Sequence, residues 1–511
     1  MTRLRPWCVM KQTFLLIAFI IAAMLALTAT VCAEDITASA VLSPAYSALT
    51  DGRESTCEVM DSGAVIKISS PTPIAGVYIK FDRTPPQWHM RAGNAEILCG
   101  RYGFLHEWCD LTSLQAQGGD IFDIELVFDG GAVEICDIYV FSAGELPDWV
   151  QCWQPAEGDA DLMLMTTHAD DEQLFFLGVL PYYAGELQYS TQVVYFTNHN
   201  NTRNRPHELL NGLWTVGVRR YPVIGGLPDY WDGYNETLDY SYAAALAEGF
   251  TRDDLVAFQV AMLRRYRPQV VVGHDIDGEY GHPQHKINTD TLISALTLAA
   301  DPSYLLPDSA LAAWDVPKTY LHLYRENRIT MDWDRPLSRF GGMTAYEVSK
   351  LGYACHLSQQ YTWFTAWMHG KDREYTKATE ITTYKPTDYG LYRSLVGADR
   401  IGGDFFENLA VRSQQTSDTA VTETVALPQN GAETSVCLPP DTSELTIPAD
   451  ITTDSTAQPT EITSMDAETS GASGEVLGSP AVAIVLTAIV LVVILTTMYI
   501  GFVSSKNNHK K

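Results

Sequence analysis

Leu162-Met163-Leu164-Met165-Thr166-Thr167-His168-Ala169-Asp170-Asp171-Glu172 decides the fold. Residues 162–165 form an apolar run of strand length, and a helical stretch is expected from Glu172. The same alternation recurs outward. Residues 192–196 are rich in β-branched and aromatic side chains, residues 207–219 and 253–266 have helical periodicity, 270–273 read as a buried strand and 286–300 as a helix. Strand alternating with helix implies an α/β fold, a Rossmann-like, mostly parallel sheet with helices on both faces. Sites in such sheets form beyond the C-terminal ends of the strands, where the polar residues of this stretch fall.

In a tight strand-to-helix turn His168 and Asp171 can converge on one point while Asp170 projects separately, toward a bound water. Imidazole and carboxylate suit Zn²⁺. The competing reading is electrostatic: acidic residues near a helix start favour the helix dipole.

A second polar run, Gly273-His274-Asp275-Ile276-Asp277-Gly278-Glu279-Tyr280-Gly281-His282-Pro283-Gln284-His285, also follows a strand. Of two histidines three apart, one can reach a metal and the other stand beside it. A calcium loop beginning at Asp275 is excluded, because Tyr280 stands where that loop needs glycine and Lys286 where it needs glutamate. Together the two runs supply a histidine, an aspartate and a second histidine, which leaves one zinc position open for water, the arrangement of a hydrolytic site.

These motifs resemble the PIG-L-like zinc N-deacetylases, whose first motif is His-Pro-Asp-Asp-Glu and whose second is commonly Gly-Tyr-Gly-His-Pro-Asp-His. The resemblance covers about residues 160–300, with weaker support to about 410. It implies that His168, Asp171 and His285 bind Zn²⁺, that Asp170 is the general base, and that His282 stabilises the oxyanion or serves as acid. It further implies that Tyr280 assists at the carbonyl and that Arg205, with Glu208, borders the substrate pocket; a surface helix salt bridge is the rival reading of that pair. Two departures stand out. Ala169 replaces proline, and Gln284 replaces the aspartate before the last histidine. If that aspartate supports a protonated His282, the amide supports it less, so the pKa of His282 is expected to be lower and the general acid is left open.

Around this core, residues 34–155 read as β, with short runs at 64–68, 77–81, 95–99, 122–128 and 133–141 separated by Gly, Pro, Asp and Ser. Such spacing suggests a sandwich, loosely like discoidin-type sugar-binding domains. Trp88, Tyr102, Phe104 and Trp108 could stack on sugar rings, although core packing is the commoner use of such residues. The deacetylase domain is expected over 156–412. Residues 413–478 hold neither Lys nor Arg and are dominated by Thr, Ser, Glu, Asp and Pro, which reads as a disordered stalk. Residues 479–503 read as one transmembrane helix and 504–511, with Lys506, Lys510 and Lys511, as a cytoplasmic tail. Residues 1–33 read as a signal peptide with its apolar run at 14–27. The expected location is therefore the cell membrane, single-pass, with the N-terminal ectodomain outside.

Of nine cysteines, two fall in the signal segment and none forms a C-x-x-C pair, which argues against a cysteine zinc site. Five lie in or at the edge of the β region, where a disulfide or two is compatible with export. A net charge of -28 excludes a nucleic-acid partner. The expected activity is zinc-dependent removal of the acetyl group from an N-acetylglucosamine-containing glycan or glycolipid. The rivals are a catalytically inactive sugar-binding surface protein and a zinc amidase acting on another amide.

Overall fold

A computed structural model of the chain describes residues 32–199, 202–307 and 310–412. The apolar runs at 14–27 and 481–503, the stalk and the basic tail lie outside the described residues. Among the described residues no helix is long and apolar enough to cross a membrane.

The first part is all antiparallel. Strands β1 (Val41–Ser43), β2 (Glu58–Met60), β3 (Ala64–Ser69), β4 (Gly76–Phe81), β5 (Trp88–Ala92), β6 (Ala95–Cys99), β7 (His106–Asp110), β8 (Asp123–Phe128) and β9 (Val133–Phe141) form two sheets. Their orders are β1-β3-β8-β5-β6 and β2-β9-β4-β7. The period-2 pattern directs the packing: along β3, Ile66 and Ile68 point inward while Lys67 points out. Trp88 is fully buried against Phe81 and Phe128, so its role is packing, and Phe104 is buried against Tyr221. Tyr102 stacks on Phe104 with 43% of its surface exposed. The described cysteines are all free thiols.

The second part is built on β10 (Leu162–Thr166), β11 (Thr191–Thr197), β12 (Val223–Leu227), β13 (Val270–Gly273), β14 (Lys318–His322), β15 (Arg328–Thr330) and β16 (Asp388–Ser394), in the order β12-β11-β10-β13-β14-β16-β15. The first five run parallel, while β16 pairs antiparallel with both β14 and β15. Both faces are buried: Leu162 and Leu164 of β10 join one apolar cluster, Met163 and Met165 the other. The chain thus combines α and β structure in several sheets. From β10 it steps outward to β11 and β12, then returns to place β13 on the other side of β10. This reversal falls between β10 and β13, and sites in such sheets form beyond the C-terminal ends of the strands at that point.

The regular helix expected from Glu172 is not formed. Turns span residues 171–178, followed by a π-helix, Leu180–Glu186. Gly178 has φ +85°, and Pro181 has no N–H to donate, so the α-ladder is interrupted twice. A side chain at Gly178 would also collide with the indole of Trp333. The segment read as a helix over 207–219 is Arg205–Thr215, ending before Gly217 at φ +93°. Helices Arg252–Tyr266 and Pro283–Ala300 lie close to the sequence reading.

Sandwich and α/β part pack together through polar as well as apolar contacts. His106 Nε2 and His207 Nδ1 are 2.8 Å apart, and the Leu105 amide donates to the Tyr221 hydroxyl at 3.1 Å.

Candidate active site

His168 and Asp171 leave β10 in one turn, and His285 is the third residue of the helix Pro283–Ala300. Three atoms meet there. His168 Nδ1 is 3.1 Å from His285 Nε2 and 3.2 Å from Asp171 Oδ2, and His285 Nε2 is 3.3 Å from the same oxygen. Donors bound at about 2.0–2.1 Å to one tetrahedral ion stand about 3.3–3.4 Å apart. The spacing of this triangle, all three side chains being buried, therefore fits one metal ion. The remaining ring nitrogens are also held, as metal-binding imidazoles require. His285 Nδ1 lies 2.8 Å from Glu279 Oε2, and His168 Nε2 lies 3.0 Å from Gln284 Oε1.

The electrostatics point the same way. Burial raises the Asp171 carboxyl, but His285 and His168 hold it well below the usual carboxylate range. Against the downward pull of burial, Asp171 and Glu279 push His285 up to about 10. The cluster is thus a sink for positive charge.

Asp170 stands apart from the triangle, as its position in the motif suggested. Its φ of +131° is a strained value for a side-chain-bearing residue, held where its amide donates to Glu172 Oε2 at 2.9 Å. Burial pushes its carboxyl up to about 7, although Arg205, with a guanidinium nitrogen 3.5 Å away, pulls it down. Arg205 also donates to the Ala169 carbonyl. Neither Arg205 nor Glu208 is a surface residue; Glu208 accepts from the Ser358 amide and hydroxyl at 2.9 and 2.6 Å. The surface salt bridge entertained for that pair is therefore not what the two residues make.

His282 packs within 4.6 Å of His168 and 4.7 Å of His285, ring centre to ring centre, with the Trp231 indole 4.6 Å away. Its ring can offer a nitrogen within 4.8 Å of those of His168 and His285. Tyr280, in left-handed backbone at φ +45°, sets its ring against both His282 and His285. Burial, reinforced by His168 and His285, holds His282 well below the usual histidine range. Gln284 has no part in that lowering. The Gln284 side chain faces His168, the Tyr230 amide (3.2 Å) and the Pro228 carbonyl (2.8 Å), and only its backbone amide reaches His282 Nδ1.

Several residues at this site carry no role in the sequence reading. Glu279 is fully buried and touches the Nδ1 atoms of His274, His285 and His322 at 2.8, 2.8 and 2.7 Å. His199 Nε2 accepts the Ala169 amide at 2.7 Å, which pins the turn between the proposed ligands, and Asp229 lies 3.5 Å from His168 Nε2. Glu172 Oε1 is 3.0 Å from His356 Nε2. A signal existed for Glu279, which stands where the resembled motif begins with glycine. His199, Asp229, His322 and His356 come from distant segments and only the fold assembles them.

Residues 163–296 match the family model described as PIG-L, GlcNAc-PI de-N-acetylase. The chain is 31% identical over 206 residues to 1D-myo-inositol 2-acetamido-2-deoxy-alpha-D-glucopyranoside deacetylase 2 of Saccharopolyspora erythraea, across 40% of this chain and 66% of that protein. To the corresponding deacetylase 1 of Catenulispora acidiphila it is 30% identical over 180 residues, across 31% and 54%. The chain thus spans about half to two thirds of the length of these relatives. Among solved structures it is similar to the N,N'-diacetylchitobiose deacetylase from Pyrococcus horikoshii, at 14% identity and a TM-score of 0.30, across 46% of this chain and 84% of that one. Through residues 163–296 the chain belongs to the PIG-L-like deacetylase family.

Proposed function

We propose that the protein hydrolyses the N-acetyl group of an N-acetylglucosamine-containing glycan or glycolipid, with Zn²⁺ as cofactor, releasing acetate and a free amino sugar. The observation that carries this reading is the triangle of His168 Nδ1, Asp171 Oδ2 and His285 Nε2, spaced for one ion, with Asp170 beside it. The named activities of the relatives support this substrate class.

His168, Asp171 and His285 would hold the ion. When bound, zinc supplies Lewis acidity that polarises an amide carbonyl and acidifies water. Asp170 takes the proton from the attacking water, a task suited to a carboxyl raised to about 7. Arg205 keeps Asp170 oriented and borders the substrate. His282 and Tyr280 line the acyl side, where one donor to a developing oxyanion is worth about 3 kcal/mol. The proton then returns to the leaving amine. Export and C-terminal anchoring, with the ectodomain outside the cell, belong to the same proposal and rest on the terminal sequences alone.

The test is a panel of N-acetylated glycans and glycolipids incubated with the purified protein, with zinc and after chelation. Zinc-dependent acetate release supports the reading. A zinc-loaded protein that releases acetate from no member opposes it and favours a sugar-binding protein or another amide substrate.

A further inference from the structure

We propose that His274, the residue directly after β13, is a fourth protein donor to the ion of this site, held in step with His285 by Glu279, with a fifth position left for water. This rests on the metal-dependent reading above. An ionised carboxylate only accepts hydrogen bonds and offers about four lone-pair sites. On Glu279 all four are taken: Oε2 faces the Nδ1 atoms of His274 and His285, each at 2.8 Å, and Oε1 faces His322 Nδ1 at 2.7 Å and the Asp275 amide at 3.1 Å. Each of the three imidazoles must therefore donate from Nδ1. With Nδ1 so engaged, Nε2 is the ring atom of His274 left to meet another partner.

That atom is fully buried and has no hydrogen-bond partner. An unpartnered polar atom in such a place is costly and calls for a reason. His274 Nε2 faces Asp171 Oδ2, the oxygen already shared by His168 and His285, at 3.5 Å, beyond the usual reach of an N–H···O bond. A metal cation between the two atoms gives both a partner. The rings of His274 and His285 lie nearly parallel, 4.1 Å apart at 22°, and share one oxygen of Glu279. Asp171, His274 and His285 offer donor atoms within 4.8 Å of one another. Phe176 packs against the ring at 4.7 Å and Glu279 holds its Nδ1 at 2.8 Å, so the side chain is not free to turn away.

The discriminating variant is His274→Asn. Its amide NH₂ falls near the position of Nδ1 and keeps the bond to Glu279, while nothing replaces Nε2. Full-length protein and variant are titrated with Co²⁺, reading the visible absorption spectrum and the dissociation constant. X-ray absorption on the zinc-loaded proteins counts imidazole ligands. The expected result is three imidazoles in the parent and two in the variant, with an altered Co²⁺ spectrum and affinity lower by about 10-fold or more. A folded variant with unchanged spectrum and affinity overturns the inference. So does a count of two imidazoles in the parent, which needs no variant. A parent protein that binds neither ion overturns the metal-dependent reading itself.

Discussion

Oε1 of Gln284 lies 3.0 Å from Nε2 of His168, while the other nitrogen of that ring faces Asp171 and His285. The amide cannot flip without loss, because its nitrogen donates to the Pro228 carbonyl and its oxygen accepts from the Tyr230 amide. It therefore fixes the tautomer that leaves His168 Nδ1 free for a metal. Gln284→Leu should keep the packing volume but lose this bond, and should weaken zinc binding by about 10–100-fold. Competition with a chelator measures it; unchanged affinity would show that His168 needs no such support.

Replacing His168, Asp171 or His285 by alanine removes one corner of the triangle. Each variant should hold far less zinc than the parent protein after dialysis, read by elemental analysis. Tyr280→Phe, by contrast, should leave zinc content unchanged and lower acetate release. Equal metal in all three alanine variants would remove them as ligands.

The contact between sandwich and α/β part should be sensitive to acid. Burial holds His207 at about 4 and His106 well below its ordinary value, so both rings are neutral in the folded protein. The unfolded chain binds these protons below about pH 6.5, and the folded one does not until about pH 4. Stability should therefore fall as pH drops through that window, by about 2–3 kcal/mol for His207 alone. Glu54, held at about 2 despite burial with the Lys80 ammonium 2.6 Å away, adds a second loss below pH 4.5. Denaturant midpoints at several pH values measure this, and His207→Gln should flatten the slope between pH 6.5 and 4.

The strands that carry the site were legible because residues 162–165, 193–196 and 270–273 are continuous apolar runs buried on both faces, with the polar motifs at their ends. The segment after Glu172 was not. Its apolar spacing suits a helix, but Gly178 and Pro181 break the ladder while Phe175 and Phe176 still pack against His285 and His274. The residues named for the site do come together, yet its internal order depends on Glu279. A single glutamate inside a motif full of acidic residues shows its partners only when β13, β14 and the helix Pro283–Ala300 bring three histidines onto it.

The most direct test of the account is Asp170→Asn. Asparagine keeps the shape of the side chain and its hydrogen bonding but cannot take a proton. General-base catalysis contributes about 10²–10⁴-fold, so acetate release from an N-acetylglucosamine-containing substrate should fall by a comparable factor while zinc content stays at the parent level. Loss of zinc in this variant would contradict the account by making Asp170 a ligand, and undiminished acetate release would contradict it by removing Asp170 from the chemistry.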